Sequence, residues 1–267
     1  MHRTISFNRD LTTPAEARIG CVSAAALYGR GIFTTIAVYD GVPFLWEKHW
    51  RRVRDNALKV GIDISNHPEN AAREALSGLL EANKVKDGRA RITFFDGSPS
   101  GVWPSSDPGG TGLLITTADP RAEVVSFKLT TSPFTTNSSS PLAGVKSCNY
   151  MENILAHEEA EKRGFAEAIL LNEQGWITSG CMSNVFWTEG GKLFTPPLRT
   201  GCIAGTTREF VMENLECCEA DTSIESLRKA DAIFLTSAGI GVQRVAEIDG
   251  RVLAQSDHPV LSLASKN

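Results

Sequence analysis

The sequence predicts an α+β protein built from two domains. Three observations lead there. β-Branched and aromatic runs are joined by tight-turn signals, helical apolar stripes stand apart from those runs instead of alternating with them, and a Gly/Pro/Ser-rich break interrupts the chain near its middle. At roughly 150 residues per domain, a length of 267 residues suits two domains. The break covers residues 96–110, whose composition opposes helix and strand alike. It divides the chain into an N-terminal domain, 1–110, and a C-terminal domain, 111–267.

The elements follow in order. Residues 31–39 (GIFTTIAVY) read as a strand, and Asp40-Gly41 supplies a hairpin turn. Trp46, Trp50, Val53, Ala57 and Val60 are three or four apart and form one helical stripe, with Arg51, Arg52, Arg54 and Lys59 off it. Pro68 opens a second helix that keeps Ala72, Leu76, Leu79 and Leu80 in register. Strands are expected at 91–95, 113–117 and 124–130, then a Pro- and Ser-rich connection over 132–147. A helix over 149–163 carries Tyr150, Ile154 and Leu155 on its apolar side and ends at Gly164. Runs at 166–171 and 176–178 flank a turn, runs at 184–188 and 192–195 flank Glu189-Gly190-Gly191, and a helix over 206–215 precedes a buried strand at 232–236.

Composition narrows the function classes. Hydrophobic residues make up 42% and charged residues 22%, which excludes a disordered or fibrous chain. Twenty-seven basic against 31 acidic residues leave a net charge of −4, which argues against a nucleic-acid partner. No apolar run approaches the ~20 residues that span a bilayer, so no membrane partner is expected. The first ten residues lack the apolar core of a signal peptide. Six cysteines form no CxxC pair and fit reduced thiols in a cytoplasmic protein. The five histidines are dispersed without metal-binding spacing, so no metal site is expected.

Several segments carry chemistry only when taken together. These are Tyr28-Gly29-Arg30-Gly31-Ile32-Phe33, Lys146-Ser147-Cys148-Asn149-Tyr150, Glu159-Ala160, Gly164-Phe165-Ala166-Glu167-Ala168, Ser183-Asn184-Val185-Phe186, Thr195-Pro196 and Gly205-Thr206-Thr207-Arg208. In this order they resemble the class IV aminotransferases, the fold-type IV pyridoxal-phosphate enzymes. The resemblance implies a two-domain α+β fold with the cofactor, pyridoxal 5'-phosphate, in a cleft between the domains, a small amino substrate and a homodimer. It makes Lys146 the catalytic lysine that forms the covalent link to the cofactor aldehyde. That chemistry needs an amine that is neutral part of the time, because an ammonium cannot attack a carbonyl.

The resemblance also assigns the cofactor's other contacts. Arg52, three after His49, aligns with the arginine that grips the phosphate. Gly205-Thr206-Thr207 opens a helix whose free N–H groups face an anion, with Ser237 and Ala238 at a further phosphate position. Tyr150 matches the tyrosine that hydrogen-bonds the ring oxygen. Phe33, Thr35 and Arg91 are implied on the substrate side.

Three residues depart from the family pattern. Ser179 stands where a glutamate normally keeps the ring nitrogen protonated, and a neutral hydroxyl makes a weaker electron sink. Asp96 stands where some branches place a carboxylate-gripping arginine, so Arg91, Arg30 or a partner subunit's arginine would replace that grip. Ala238 stands where a phosphate-binding hydroxyl is common, with Ser237 beside it. Phe33-Thr34-Thr35, Gly175-Trp176-Ile177-Thr178, Cys181 and Asn184-Val185-Phe186-Trp187 look more like 4-amino-4-deoxychorismate lyase than a branched-chain or D-amino-acid transaminase. A transaminase, and a cofactor-binding member with little catalysis, are the alternatives.

Overall fold

The computed structural model describes residues 1–100, 110–122, 124–255 and 257–263. It contains two compact units, one comprising Met1–Arg121 and Val145–Asn149, the other Ala122–Gly144 and Tyr150–Asn267.

The first unit is a six-stranded sheet with helices on it. Its elements are β1 (Ile5–Phe7), β2 (Asp10–Thr12), α1 (Ala24–Tyr28), β3 (Gly31–Tyr39), β4 (Val42–Pro43), α2 (Trp46–Val60), α3 (Glu69–Ala82), β5 (Gly88–Asp96) and β6 (Thr111–Ala118). The sheet order is β2-β1-β6-β5-β3-β4, antiparallel at every pairing. Because β6 pairs with both β1 and β5, this sheet runs past the expected boundary at 110/111, and the units divide after Arg121. Of the expected break at 96–110, residues 101–109 lie outside the described residues.

Alternation along β3 decides what each face does. Ile32, Ile36 and Val38 join a core with Trp46, Trp50, Val53 and Ala57 of α2 and Leu76, Leu79 and Leu80 of α3. The stripe read for α2 is therefore its buried side, and Gly61 ends the helix at φ 66°. Pro68 is the residue before α3, not its first turn, with extended backbone at φ −61°, ψ 158°. Phe33 and Thr35 point to the other sheet face, opposite Thr93 and Arg91 of β5.

The second unit holds two five-stranded sheets. In chain order its elements are β7 (Lys128–Thr136), α4 (Met151–Lys162), β8 (Glu167–Asn172), β9 (Ile177–Gly180), β10 (Asn184–Glu189), β11 (Lys192–Thr195), α5 (Thr206–Asn214), β12 (Cys217–Glu219), α6 (Ile224–Leu227), β13 (Ala232–Ser237), β14 (Gly241–Arg244), β15 (Glu247–Ile248) and β16 (Arg251–Val252). The orders are β12-β11-β10-β13-β14 and β16-β15-β7-β8-β9. β7 runs parallel to both β8 and β15. A core of Phe127, Leu129, Ile169, Val185, Trp187, Ile233 and Leu235 draws on strands of both sheets.

Two elements differ from the expectation. The strand expected at 124–130 begins only at Lys128 and continues to Thr136, taking in the first residues of the expected connection. Its register against β8 breaks between Thr131 and Thr135, where Ser132 and Pro133 give the strand the look of a loop. Helix α4 buries Ala156 and Ala160, while Ile154 and Leu155 are exposed. Small alanines let the helix lie close on β7 and β8, so its buried side is not its most apolar one.

Candidate active site

In the first unit the site residues gather around Lys146. The chain returns beside β3 at Val145–Asn149: Ser147 bridges Ile32, Phe33 N–H donates to the Lys146 carbonyl at 2.9 Å, and Cys148 N–H donates to the Gly31 carbonyl at 2.8 Å. Gly31 must stay small, since a Cβ there would lie 2.9 Å from Cys148 Sγ and 3.0 Å from the Phe94 carbonyl oxygen. Lys146 Nζ sits over the buried Phe33 ring, 4.4 Å from its centroid. The amine's pKa is lowered to about 7, first by burial and then by the cations of Arg52 and Arg91.

Arg91 is exposed, and its guanidinium also lies over Phe33, 3.6 Å from the ring centroid. Its Nε donates to Thr93 Oγ1 at 3.2 Å. Thr35, partly buried, pairs across the strands with Arg91. Phe33, Thr35, Arg91 and Lys146 are thus brought together.

Arg52 projects from α2 and donates from Nη2 to Thr34 Oγ1 at 2.8 Å. The same hydroxyl lies 2.7 Å from Nδ1 of His49. His49 is buried, and its pKa is held well below the usual histidine range by burial, then by Arg52 and Lys146. Sequence reasoning gave neither Thr34 nor His49 a role. The available signal was spacing: His49 and Arg52 are three apart on one helix and so share a face.

Asp96 does not present an unscreened charge. It is buried, Oδ2 lies 3.4 Å from Arg30 Nη1, and Oδ1 accepts from Ser98 N–H at 3.0 Å and from the Ser98 hydroxyl. Arg30 also donates to the Gly61 carbonyl at 3.0 Å. Of the two arginines expected as substitutes in this chain, Arg30 is therefore engaged with Asp96, and Arg91 stands beside Lys146.

The second unit carries the remaining residues. Tyr150 is the residue before α4, and its hydroxyl reaches the Cys181 carbonyl only at 3.5 Å, the long limit of a hydrogen bond. Ser179 is partly buried on β9, paired with Leu170 of β8. At the start of β8 the fully buried Glu167 accepts from Met182 N–H at 2.7 Å and from the Ser183 hydroxyl at 2.8 Å, both just after β9. This carboxylate fixes the turn between β9 and β10, and sequence reasoning gave it no role. One acidic residue opening the apolar run EAILL was the available sign.

Thr206 and Thr207 are buried at the start of α5, which Gly205 precedes without a side-chain cap. Asn184 holds the approach to this helix by donating to the Ile203 carbonyl at 2.9 Å. Gly205 leaves room for that amide, because a Cβ there would stand 1.9 Å from Asn184 Oδ1. Arg208 is buried and ion-paired with Glu219, and it donates to the Pro196 carbonyl at 3.0 Å, so it ties α5 to β12. Ser237 and Ala238 are both partly buried, and Ser237 Oγ accepts from Gly239 N–H at 3.3 Å.

Residues 31–248 match the model of the family described as amino-transferase class IV. A putative branched-chain-amino-acid aminotransferase of Methanocaldococcus jannaschii is 30% identical over 263 residues, 93% of this chain and 89% of that protein. The aminodeoxychorismate lyase of Bacillus subtilis is also 30% identical, over 84% of this chain and 79% of the lyase. Among solved structures, the branched-chain aminotransferase of Thermoproteus uzoniensis with norvaline superposes with a TM-score of 0.89 at 26% identity, covering 99% of this chain and 93% of that one. Two activities stand at equal identity to this chain, while the family does not vary between them: the chain belongs to the class IV aminotransferases, enzymes that depend on pyridoxal phosphate.

Proposed function

We propose that the protein is a pyridoxal-phosphate lyase acting on 4-amino-4-deoxychorismate, releasing pyruvate and 4-aminobenzoate. One observation carries the choice: Ser179, not a glutamate, stands on β9. A hydroxyl cannot hold a proton on the ring nitrogen as a carboxylate can, so the cofactor is a weaker electron sink here. Elimination that ends in an aromatic ring tolerates that loss better than transamination does. The Bacillus subtilis relative supports the same reading.

The residues present suit the cofactor. Lys146 offers an amine with a pKa of about 7, and Arg52 offers a guanidinium in the same cluster, which matches an aldehyde and a phosphate on one small molecule. When bound, pyridoxal phosphate supplies a conjugated ring that draws electron density from the substrate carbon bearing the amino group. In this assignment Arg52 and the N–H groups of Thr206 and Thr207 take the phosphate, with Ser237 adding a hydroxyl that Ala238 lacks. Tyr150 serves the ring oxygen and Ser179 the ring nitrogen. Lys146 Nζ, with its neutral and charged forms both populated near pH 7, takes the proton from the amine-bearing carbon and later returns one to the product. Arg91, backed by Phe33 and flanked by Thr35, holds a substrate carboxylate.

A transaminase is the second reading, favoured by the Methanocaldococcus jannaschii relative, which matches 93% of this chain. The decisive assay supplies purified protein with aminodeoxychorismate and, separately, with a panel of amino donors and keto acids. Formation of 4-aminobenzoate and pyruvate is expected. Keto-acid amination without 4-aminobenzoate would establish the transaminase instead, and cofactor binding without either reaction would leave only a binding protein. Six free cysteines and the family resemblance extend the proposal to a cytoplasmic homodimer.

A further inference from the structure

Thr34 is out of place by the logic of its own strand. Its neighbours on that face of β3, Ile32, Ile36 and Val38, all pack into the core against α2 and α3, and Thr34 is as buried as they are. A buried hydroxyl there needs polar partners, and it has two. Arg52 Nη2 lies 2.8 Å from Thr34 Oγ1, and His49 Nδ1 lies 2.7 Å from it. A guanidinium only donates, so Oγ1 accepts from Arg52; Arg52 Nη2 also faces His49 Nδ1 at 3.5 Å, which favours Nδ1 as an acceptor and the Thr34 hydroxyl as its donor. That direction requires a bare Nδ1, hence a neutral imidazole with its hydrogen on Nε2. The environment enforces neutrality, since burial and the charges of Arg52 and Lys146 all disfavour the imidazolium.

We propose that Thr34 and His49 are positioning residues, a hydroxyl–imidazole pair that orients the Arg52 guanidinium toward the cofactor phosphate. The inference rests on the phosphate role proposed above for Arg52. An arginine on a helix has several rotatable bonds, and their freedom is lost when it grips an anion. Here that freedom is spent in the apoprotein. Thr34 is β-branched and stiff at χ1, His49 is fixed in the core, and Nη2 is anchored to the hydroxyl between them. A planar fork held at one nitrogen can turn little, so its remaining donors meet a phosphate in a set direction. Pre-organisation of this kind raises affinity for the phosphate and leaves affinity for the pyridine ring alone.

The test compares two ligands on apoprotein, pyridoxal 5'-phosphate and pyridoxal, by absorbance titration, and reads the ratio of their dissociation constants. Arg52→Gln should reduce the preference for the phosphorylated ligand by at least about tenfold, as loss of a charged hydrogen bond does. Thr34→Val, nearly isosteric, should reduce it in the same direction by about tenfold, while pyridoxal affinity stays at the wild-type value. Thr34→Ser should restore the preference, and in the Arg52→Gln background Thr34→Val should change nothing further. Should Thr34→Val fold poorly, His49→Phe gives the same reading, with His49→Asn, which keeps an acceptor near Nδ1, as its rescue.

Equal weakening of both ligands by Thr34→Val means a merely structural hydroxyl and overturns the proposal. So does an unchanged ratio in that variant beside a reduced one in Arg52→Gln, and then the phosphate role of Arg52 survives. An unchanged ratio in Arg52→Gln removes that role and this proposal together.

Discussion

At the scale of single residues, Lys146 shows how surroundings make a reagent from an ordinary side chain. An unperturbed lysine, with a pKa near 10.4, is neutral in well under ~0.1% of molecules at pH 7. At a pKa of about 7, half of the Lys146 amines are neutral at that pH. Burial is the largest cause and the guanidiniums of Arg52 and Arg91 the next, so each can be tested separately. Arg91→Met removes one cation, which makes the ammonium easier to keep and raises the amine's pKa. The rate of pyridoxal addition to apoprotein, followed by stopped-flow absorbance, should then rise with pH at a higher midpoint than in wild type. An unmoved midpoint would show that Arg91 does not act on this amine. The same shift bears on stability, with a definite sign. Folding raises the free energy of the charged form, so the penalty is fully present below about 7 and vanishes above 10.5, the ordinary value. Lys146→Met should therefore stabilise the apoprotein at pH 7, with a Tm difference that shrinks toward pH 10.5. A difference independent of pH would mean only that methionine packs better.

At the scale of elements, position is fixed by a few contacts that spacing alone does not disclose. Helix α5 begins where Asn184 of β10 holds the Ile203 carbonyl and where Gly205 has no side chain. Gly205→Ala puts a methyl 1.9 Å from Asn184 Oδ1, and the amide cannot turn away without giving up its bond to Ile203. The variant should lose roughly 1–3 kcal/mol of stability, the usual cost of overpacking, and bind pyridoxal phosphate more weakly. Unfolding and cofactor titration measure both, and an unchanged variant would show that the helix start has slack. Elements with a strong period were legible: β3 spans the residues expected, and the tryptophan stripe of α2 is its buried face. β7 was not, because Ser132-Pro133 interrupts a strand that its partner β8 nevertheless holds. The apolar side of α4 was misread because two alanines, small enough for close approach, outrank larger residues in deciding which face is covered. In the candidate site, ordered motifs singled out Lys146 and Arg52, which the fold brings near enough for one charge to act on the other. The Thr34–His49 pair and the Arg30 counter-charge to Asp96 stayed hidden, since each joins residues 15 or more positions apart through side chains whose meeting depends on the fold.

At the scale of the whole molecule, two units with separate cores supply different parts of one family pattern. The first holds the amine, the guanidiniums and Phe33 around β3, α2 and the return at Val145–Asn149. The second holds Tyr150, Ser179, the α5 start and Ser237. Membership of the class IV aminotransferases is evident across residues 31–248, yet relatives with two different activities stand at 30% identity, so similarity does not choose between them. The choice has to come from chemistry in which the two reactions differ, and Ser179 offers it. Transamination needs electron density to be stored on the cofactor ring, whereas elimination to an aromatic product recovers much of its driving force from the product itself. Ser179→Glu places a carboxylate on β9 at the partly buried position where the family resemblance implies one. If sink strength limits this enzyme, the variant should transaminate common amino donors at least about tenfold faster, a gain of roughly 1.4 kcal/mol in the barrier, while 4-aminobenzoate formation changes much less. Steady-state assays of both reactions, with unfolding midpoints showing that the longer side chain is accommodated, provide the measurement. A folded, cofactor-loaded variant with no gain in transamination would mean that the substrate contacts around Arg91 and Phe33, and not the ring, separate the two activities.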